Sequence, residues 1–504
     1  MIYLKKFENH AEYTAYTAST EFVKPNVSHC IQEVEVHYNP YDYSDRYLTF
    51  KAREQGTFTL TIGSAVTTSL LSSVSYSLDE GETWTTTNNA NDTTVTITTP
   101  TVNQGDKVMW KGSGTSMSIA TNSTAAADRP ASSSIFSSSG EFDIEGNIMS
   151  LLYGDDFKDE TSFAQGSTSN FALLFYCYNM PQTAKVVSAK NMSLPTTVVK
   201  DFSYLRMFCG CTSLTTAPQL PATTLADGCY YVMFDSCTSL IAAPELPATT
   251  LANKCYRQMF AGCTNLTTVP SNYLPATTLT DNCYCYMFYE CTSLTTAPEL
   301  PATTLADFCY SNMFQGCTSL TTAPELPATT LADGCYYSMF QDCTLLTTAP
   351  ELPATTLASE CYAWMFYNCT SLTEAPELPV TTLEYACYNG TFRNCTSLTT
   401  APELPATTLA DGCYYSMFRG CTALTTAPEL PAATLVTNSY RTMFSGCTNL
   451  NSITCLATDK SASNCTTSWV SGVASSGTFV KAASMTSWPS GASGIPSNWT
   501  IQDA

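Results

Sequence analysis

All three histidines of this 504-residue chain, His10, His29 and His37, fall near its N-terminus, with Cys30 among them. A His/Cys cluster of that kind invites a metal site or a Cys–His nucleophile. The spacing matches no strong ligand motif, and an irregular docking segment accounts for the same residues. Past His37 there is no imidazole, so a Ser–His or Cys–His pair elsewhere would have to reach back to this segment. No glycine-rich phosphate cradle occurs either. The expectation is a non-enzymatic protein with no cofactor and no resident metal.

Cysteine is the next candidate for chemistry. Ten of the 24 cysteines lie in one register, from Cys211 to Cys447, and eight in another, from Cys229 to Cys413. Together they form C-x7-C pairs, not the C-x2-C of a zinc site. Free cysteine packs as a small apolar residue. Helices stacked side by side sit about 8–10 Å apart, too far for a disulfide between neighbours. Two columns of buried thiols are therefore expected. A third series, Glu245, Glu299, Glu325, Glu351, Glu377, Glu403 and Glu429, could pair carboxylates or face Ca²⁺. One column rarely supplies six oxygen ligands, so a solvated acidic edge is the expectation.

These series exist because the chain repeats. Met-Phe steps recur at Met207, Met233, Met259, Met287, Met313, Met339, Met365, Met417 and Met443, with Thr391-Phe392 in the vacant place. The interval is 26 residues, and 28 once, where 271–273 lengthen a turn. The unit reads D-G-C-Y-x-x-M-F-x-x-C-T-S-L-T-T-A-P-E-L-P-A-T-T-L-A. Such a period means a solenoid, whose units bury their apolar faces only by stacking. At about 100° per residue, Cys229, Tyr230, Met233, Phe234 and Cys237 fall within an arc of about 140°. A short helix is predicted there. Asp227 and its equivalents would cap it, and Gly or Asn before the second Cys would end it in the left-handed region. Next, Ser-Leu-Thr would pair as a short parallel strand, beside prolines that remove donors. At about 4.8 Å per strand, ten rungs span about 45–50 Å.

A binding surface should lie where the repeats differ. Tyr230 and its equivalents never vary, so they belong to the core. The variable positions hold Tyr231, Arg257, Tyr286, Tyr337, Trp364, Tyr415 and Arg441, with Tyr289 and Tyr367 one turn on. A row of Tyr, Trp and Arg suits a glycan or a protein. The competing reading is a set of unconstrained outer positions.

The pattern C-Y-x-x-M-F-x-x-C-T-S-L-T-T-A-P-E-L-P resembles the BspA-like leucine-rich repeats of gut Bacteroides-type bacteria and their crAss-like phages. The resemblance covers about residues 170–450. It implies a leucine-rich-repeat solenoid with adhesive or protein-binding roles.

The remaining chain divides in two. Residues 1–45 read as an N-terminal arm whose Tyr38, Pro40, Tyr41 and Tyr43 suit an extended anchor on a partner. Residues 46–165 alternate in short runs, Tyr47–Phe50, Phe58–Ile62, Val74–Tyr76, Val95–Ile97 and Val108–Trp110, which predicts a small β-sandwich. Ser-rich Gly112–Gly140 reads as a loop. Phe142–Ile144 and Ile148–Leu152 read as a last strand and the lead into the repeats. Residues 166–452 form the repeat region, starting with a degenerate unit at Ala172–Val198, and 453–504 a C-terminal cap.

The fold expectation is thus multidomain: arm, β-sandwich, then an α/β leucine-rich-repeat-like solenoid of about ten repeats with terminal caps. The net charge of −21 argues against a nucleic-acid partner. No run of about 18 apolar residues suggests a membrane span, and no apolar leader suggests a secretory signal. These features, with the resemblance, predict a phage virion structural protein, a fibre or decoration on capsid or tail. The arm would bind other virion proteins, and the solenoid a host-surface protein or glycan. A trimer would suit a fibre. A bacterial cell-surface adhesin is the alternative.

Overall fold

The computed structural model describes residues 43–63, 71–88, 94–118, 133–163, 169–178, 184–195, 199–270, 272–485 and 488–504. Of the expected anchor residues only Tyr43 is included, with the Arg46 guanidinium 4.7 Å from its ring centroid. Tyr38, Pro40 and Tyr41, the three histidines and Cys30 lie outside the described residues.

The strand-rich region forms two sheets. Strands β1 (Leu48–Ala52), β3 (Leu71–Ser77), β4 (Thr85–Asn88), β6 (Lys107–Gly114), β8 (Phe142–Asn147) and β9 (Val186–Ser193) run in the order β4-β3-β6-β1-β8-β9. Strands β2 (Phe58–Ile62), β5 (Val95–Thr98) and β7 (Ile135–Ser138) run β5-β2-β7. Period-two alternation buries Phe58, Leu60 and Ile62 on one face of β2. Rings join the sheets: Phe50 lies 5.3 Å from Phe58 and 4.8 Å from Phe136, and Phe58 lies 4.9 Å from Phe142.

One local expectation fails here. The Ser-rich segment expected as a loop contains β7, whose apolar signal is only Ile135-Phe136. Phe142–Ile144, read as the last strand, lies in β8, and Ile148–Leu152, read as the lead into the repeats, makes a turn and the short helix α1 (Ser150–Tyr153). Asn147 Oδ1 accepts the Met149 amide at 2.9 Å, which starts that turn. Ser150 Oγ then accepts from Leu48 N and donates to Trp110 O, tying α1 to the sheet.

The repeats stack, but not as helices. Among the described residues the α-helix is confined to α1. The C-Y-x-x-M-F-x-x-C segment is a chain of four-residue turns. In one rung φ is positive at Gly228 (58°), Val232 (60°) and Ser236 (58°), and in another at Glu360 (54°), Trp364 (60°) and Asn368 (62°). A left-handed residue every four positions forbids an α-helix. Tyr231, Met233 and Cys237 donate to the carbonyl three residues back, at 3.1–3.2 Å. Tyr230, Val232, Phe234 and Ser236 donate instead to Cys255, Arg257, Met259 and Ala261 of the next rung, at 2.7–3.0 Å. Alternate amides thus close the turn and bind the stack. A nine-residue helix is marginal alone, whereas this arrangement employs the same donors between rungs.

The expected N-caps also act between rungs. Asp201 Oδ1 accepts from Asp227 N at 3.2 Å, and Asp227 Oδ1 from Asn253 N at 3.0 Å. Rungs therefore sit closer than stacked helices would. Phe208, Phe234, Phe260, Phe288 and their successors to Phe444 stack with centroids 5.6–5.8 Å apart. Tyr204 to Tyr440 form a parallel ladder at 5.4–6.2 Å. The separation assumed for helix-borne cysteines does not apply. The described cysteines are nevertheless all free and buried. Cys237 Sγ donates to Phe208 O at 3.1 Å, and Cys263 and Cys317 repeat the contact one and three rungs on. Where Thr391 replaces Met, its hydroxyl finds Tyr362 O at 3.0 Å, so no buried hydroxyl is orphaned there.

Parallel pairing between repeats shrinks to single bridges in two columns, such as Thr216↔Ala242 and Thr224↔Thr250. The contact falls on the second Thr of T-T rather than on Ser-Leu-Thr. Flanking prolines have no amide to extend it. At both ends, where the Pro-Glu-Leu-Pro element is missing, true strands appear. β9 pairs in parallel with β8 and also bridges Thr216 through Ser188. β10 (Ser452–Cys455), β11 (Thr478–Lys481) and β12 (Thr500–Asp503) form a parallel three-stranded sheet. One apolar cluster accordingly runs from Leu48 to Trp499 across both regions.

Two predictions follow from this geometry. At Gly210 (φ 79°) an added Cβ would stand 2.6 Å from Tyr178 N, whereas at Gly446 (φ 81°) its nearest neighbours are 3.7 Å away. Gly210→Ala should therefore cost about 2 kcal/mol or more, and Gly446→Ala about 1 kcal/mol, in chemical denaturation; equal losses would contradict the packing. Burial also pushes the thiols upward, Cys317 to about 12. At pH 8 a thiol reagent should label the native stack slowly and the guanidinium-unfolded chain at once. Rapid native labelling of either column would refute the buried assignment.

Candidate binding surface

The turn chain decides which side chains face out. Numbering from the first Cys (Cys229), positions one, two, five, six and nine point inward: Cys229, Tyr230, Met233, Phe234 and Cys237 are at most 1% exposed. Positions three, four, seven and eight remain; the eighth carries Gly, Ser or Asn and, on two rungs, Glu290 and Asp342. The other three place Tyr231, Arg257, Tyr337, Tyr415 and Arg441 in column three, Tyr286 and Trp364 in column four, and Tyr289 and Tyr367 in column seven. All nine are partly exposed. The candidate residues thus share one flank, although they spread along its length.

Local contacts group them. Arg257 lies over Tyr231 at 5.7 Å and Arg441 over Tyr415 at 5.4 Å, each arginine one rung after its ring. Arg393, which the sequence reading passed over, lies 5.2 Å from Trp364 and 5.3 Å from Tyr367. Trp364 and Tyr367 meet edge to face at 5.4 Å, as do Tyr286 and Tyr289 at 5.5 Å. Arg206 and Arg419 complete the cations of these columns. Arg393 and Arg419 share column seven with Tyr289 and Tyr367, so following that column along the repeats would have found them.

Trp364 and Tyr286 take the left-handed conformation, φ 60° and 58°. For large L-residues this costs on the order of 1–2 kcal/mol each. The rung-to-rung amides hold them there, and the result presents an indole and a phenol outward. The Tyr289 phenol is pushed up to about 12, first by its hydrogen bond to Glu290 and then by burial. Burial raises Tyr286 and Tyr337 as well. These rings stay neutral donors at physiological pH.

The glutamates of the Pro-Glu-Leu-Pro turns, Glu245 through Glu429, are exposed. They lie outside the C-x7-C segment that carries the arginines. Among the described residues no cluster of three or more His, Cys, Asp or Glu is placed to hold a metal ion. No helix among them is long and apolar enough to cross a membrane.

The family description "BspA type Leucine rich repeat region" matches in six copies, at residues 185–321, 254–399 and 365–467. Together these spans cover more than half of the chain. The chain belongs to the BspA-type leucine-rich-repeat family. A leucine-rich repeat protein from Eubacterium ventriosum, known from a 2.50 Å crystal structure, is similar at 15% identity. The match covers 69% of this chain and 92% of that one, with a TM-score of 0.29. No curated protein matches.

Within the BspA-type stack the acid Asp235 shares column seven with Arg393 and Arg419. Burial pushes the Asp235 carboxyl up to about 6, against a bond from the Cys209 thiol at 3.6 Å that pulls it down. The folded chain then holds a proton that the unfolded chain releases near the ordinary value of 3.8. Below that value both forms are protonated and nothing is lost. The cost of the charge grows between the two values and is complete above about 6. Asp235→Asn should stabilise by about 1–2 kcal/mol at pH 7.5, allowing for partial exposure, and leave stability unchanged at pH 4. Thermal melts at both pH values would check this; an equal shift at each would contradict it.

Proposed function

We propose that this BspA-type chain is a non-enzymatic adhesive protein. Its stack presents the partly exposed face of positions three, four and seven to a protein or glycan on a host surface. The observation that carries the reading is the Trp364–Tyr367–Arg393 group. Its large rings sit on one outer flank and are held in place by backbone geometry, as hot spots of interfaces are. The aromatic and arginine side chains gather where the repeats vary, while Tyr230 and Phe234 and their equivalents stay constant inside.

In this reading the stack is a solenoid of about ten repeats. The strand-rich region is a β-sandwich that closes its N-terminal end, and residues 453–504 cap the other. The protein is a structural component of a phage particle, attached by residues 1–45, in the first version. In the second it is an adhesin of a bacterial cell surface. The sequence resemblance supports both.

Two samples separate them: the full chain, and a chain beginning at Tyr43, each mixed with disrupted virions and with host envelopes. The virion version requires that only the full chain join virions. Binding of both to envelopes, and of neither to virions, would select the bacterial version. Trp364→Ala with Tyr367→Ala should weaken envelope binding of the full chain by tenfold or more, as expected for two interface rings, with an unchanged melting temperature. Undiminished binding would remove this face from the proposal.

A further inference from the structure

The distribution of charge on the stack narrows the ligand. The chain carries a net charge of −21. Yet positions three, four, seven and eight of the rungs hold five arginines, Arg206, Arg257, Arg393, Arg419 and Arg441, against three acids, Asp235, Glu290 and Asp342, and none of these acids lies on the three rungs of Arg393, Arg419 and Arg441. In so acidic a chain, cations ordinarily find carboxylates. The ion pairs of the described residues instead all lie outside the ten rungs: Arg53–Asp143, Lys107–Glu145, Lys111–Asp155, Lys185–Glu54 and Lys481–Asp503.

Three of the stack's five arginines, Arg257, Arg393 and Arg441, are backed by rings instead. Arg393 covers both Trp364 and Tyr367, and its Nε is buried with no hydrogen-bond partner. Arg257 and Arg441 each give one Nη1 bond to an asparagine, Asn282 at 3.2 Å and Asn438 at 3.3 Å. A guanidinium held over a ring, without a carboxylate partner, can offer its remaining N–H groups to a planar anion. Arg393, Arg419 and Arg441 stand on three consecutive rungs. Arg441 lies in column three. Arg393 and Arg419 share column seven, and the phenylalanines beside them, Phe392 and Phe418, are 5.7 Å apart. This pitch is close to the advance of one sugar along a polysaccharide chain.

We infer that the face formed by Trp364, Tyr367, Arg393, Tyr415, Arg419 and Arg441 binds an acidic polysaccharide with a carboxylate or sulfate on successive sugars. The inference rests on the adhesive reading and names its ligand class. The arginines take the anionic groups. The rims of Trp364, Tyr367 and Tyr415 offer apolar surface to the sugar faces. The exposed glutamates of the Pro-Glu-Leu-Pro turns repel the same polymer, which confines it to this flank.

The test uses the full chain and calorimetric titration with polygalacturonate, chondroitin sulfate, neutral dextran and polyglutamate. One or both acidic polysaccharides should bind, which distinguishes carboxylate from sulfate, and binding should weaken as NaCl rises from about 50 to about 500 mM. Dextran and polyglutamate should bind at least tenfold more weakly. Arg393→Gln and Arg419→Gln should each lower affinity about tenfold, as for a lost charge-assisted bond. Arg53→Gln, in the strand-rich region, should not. Because the salt dependence is read on the unaltered chain, the proposal stays testable even if a variant misfolds.

Failure of both acidic polysaccharides to bind would overturn the inference. So would dextran or polyglutamate binding as tightly, or well-folded arginine variants with unchanged affinity. Envelope binding measured on the same samples separates the two proposals. If it persists while the polysaccharides fail, only the ligand class is wrong; if it is absent too, the adhesive reading falls with it.

Discussion

The amide that crosses from one rung to the next is the bond on which everything else here depends. Phe234 N to Met259 O and Phe260 N to Met287 O are successive members of one series, each at 2.9 Å. Because only alternate amides cross, the others remain to close the turns, and a left-handed residue must recur every fourth position. That recurrence sets the inward pair of positions, which builds the Phe and Tyr ladders. The local strain of residues such as Val232 (φ 60°) survives because the stack on both sides over-determines it.

These crossing bonds all point the same way, N–H toward the C-terminal rung. The stack therefore ends in carbonyls at one side and amides at the other, and each end needs a different partner. At the N-terminal side, Asn170 O accepts from Met117 N at 2.7 Å and Leu174 O from Phe136 N at 2.8 Å. Phe136 also stacks on Phe175 at 5.6 Å, so the strand-rich region supplies the ring that begins the Phe ladder. At the C-terminal side, Val470 N donates to Ala492 O and Ser468 N to Ser493 Oγ. Trp469 receives both ladders, 6.2 Å from Tyr440 and from Phe444, and its Nε1 bonds Gly494 O at 2.8 Å. The flanking segments meet the needs of the repeats they enclose.

The same constraint frees the outer flank. Once the inward positions belong to the ladders and alternate amides to the stack, positions three, four and seven carry little structural duty. Arginine and aromatic side chains can then change from rung to rung without disturbing the core. Functional variety on a rigid scaffold is what a binding surface requires.

Much of this was legible in one dimension. The repeat interval, the buried Cys, Tyr, Met and Phe, the left-handed Gly and Asn before the second Cys, and the outer Tyr, Trp and Arg all follow from residue type and spacing. The turn chain was not, because over nine residues a four-residue period and the 3.6 of a helix bury the same side chains. Periodicity cannot separate them; only the amide partners can, and those belong to the neighbouring rung. The pairing of Arg393 with Trp364 and Tyr367 stayed hidden for a similar reason, since it joins different columns of adjacent repeats. What the sequence determined alone was which residues face in and which recur, because apolar burial acts on each repeat in the same way. Only the tertiary structure decided where each backbone donor goes, because that choice depends on the distance to the next rung.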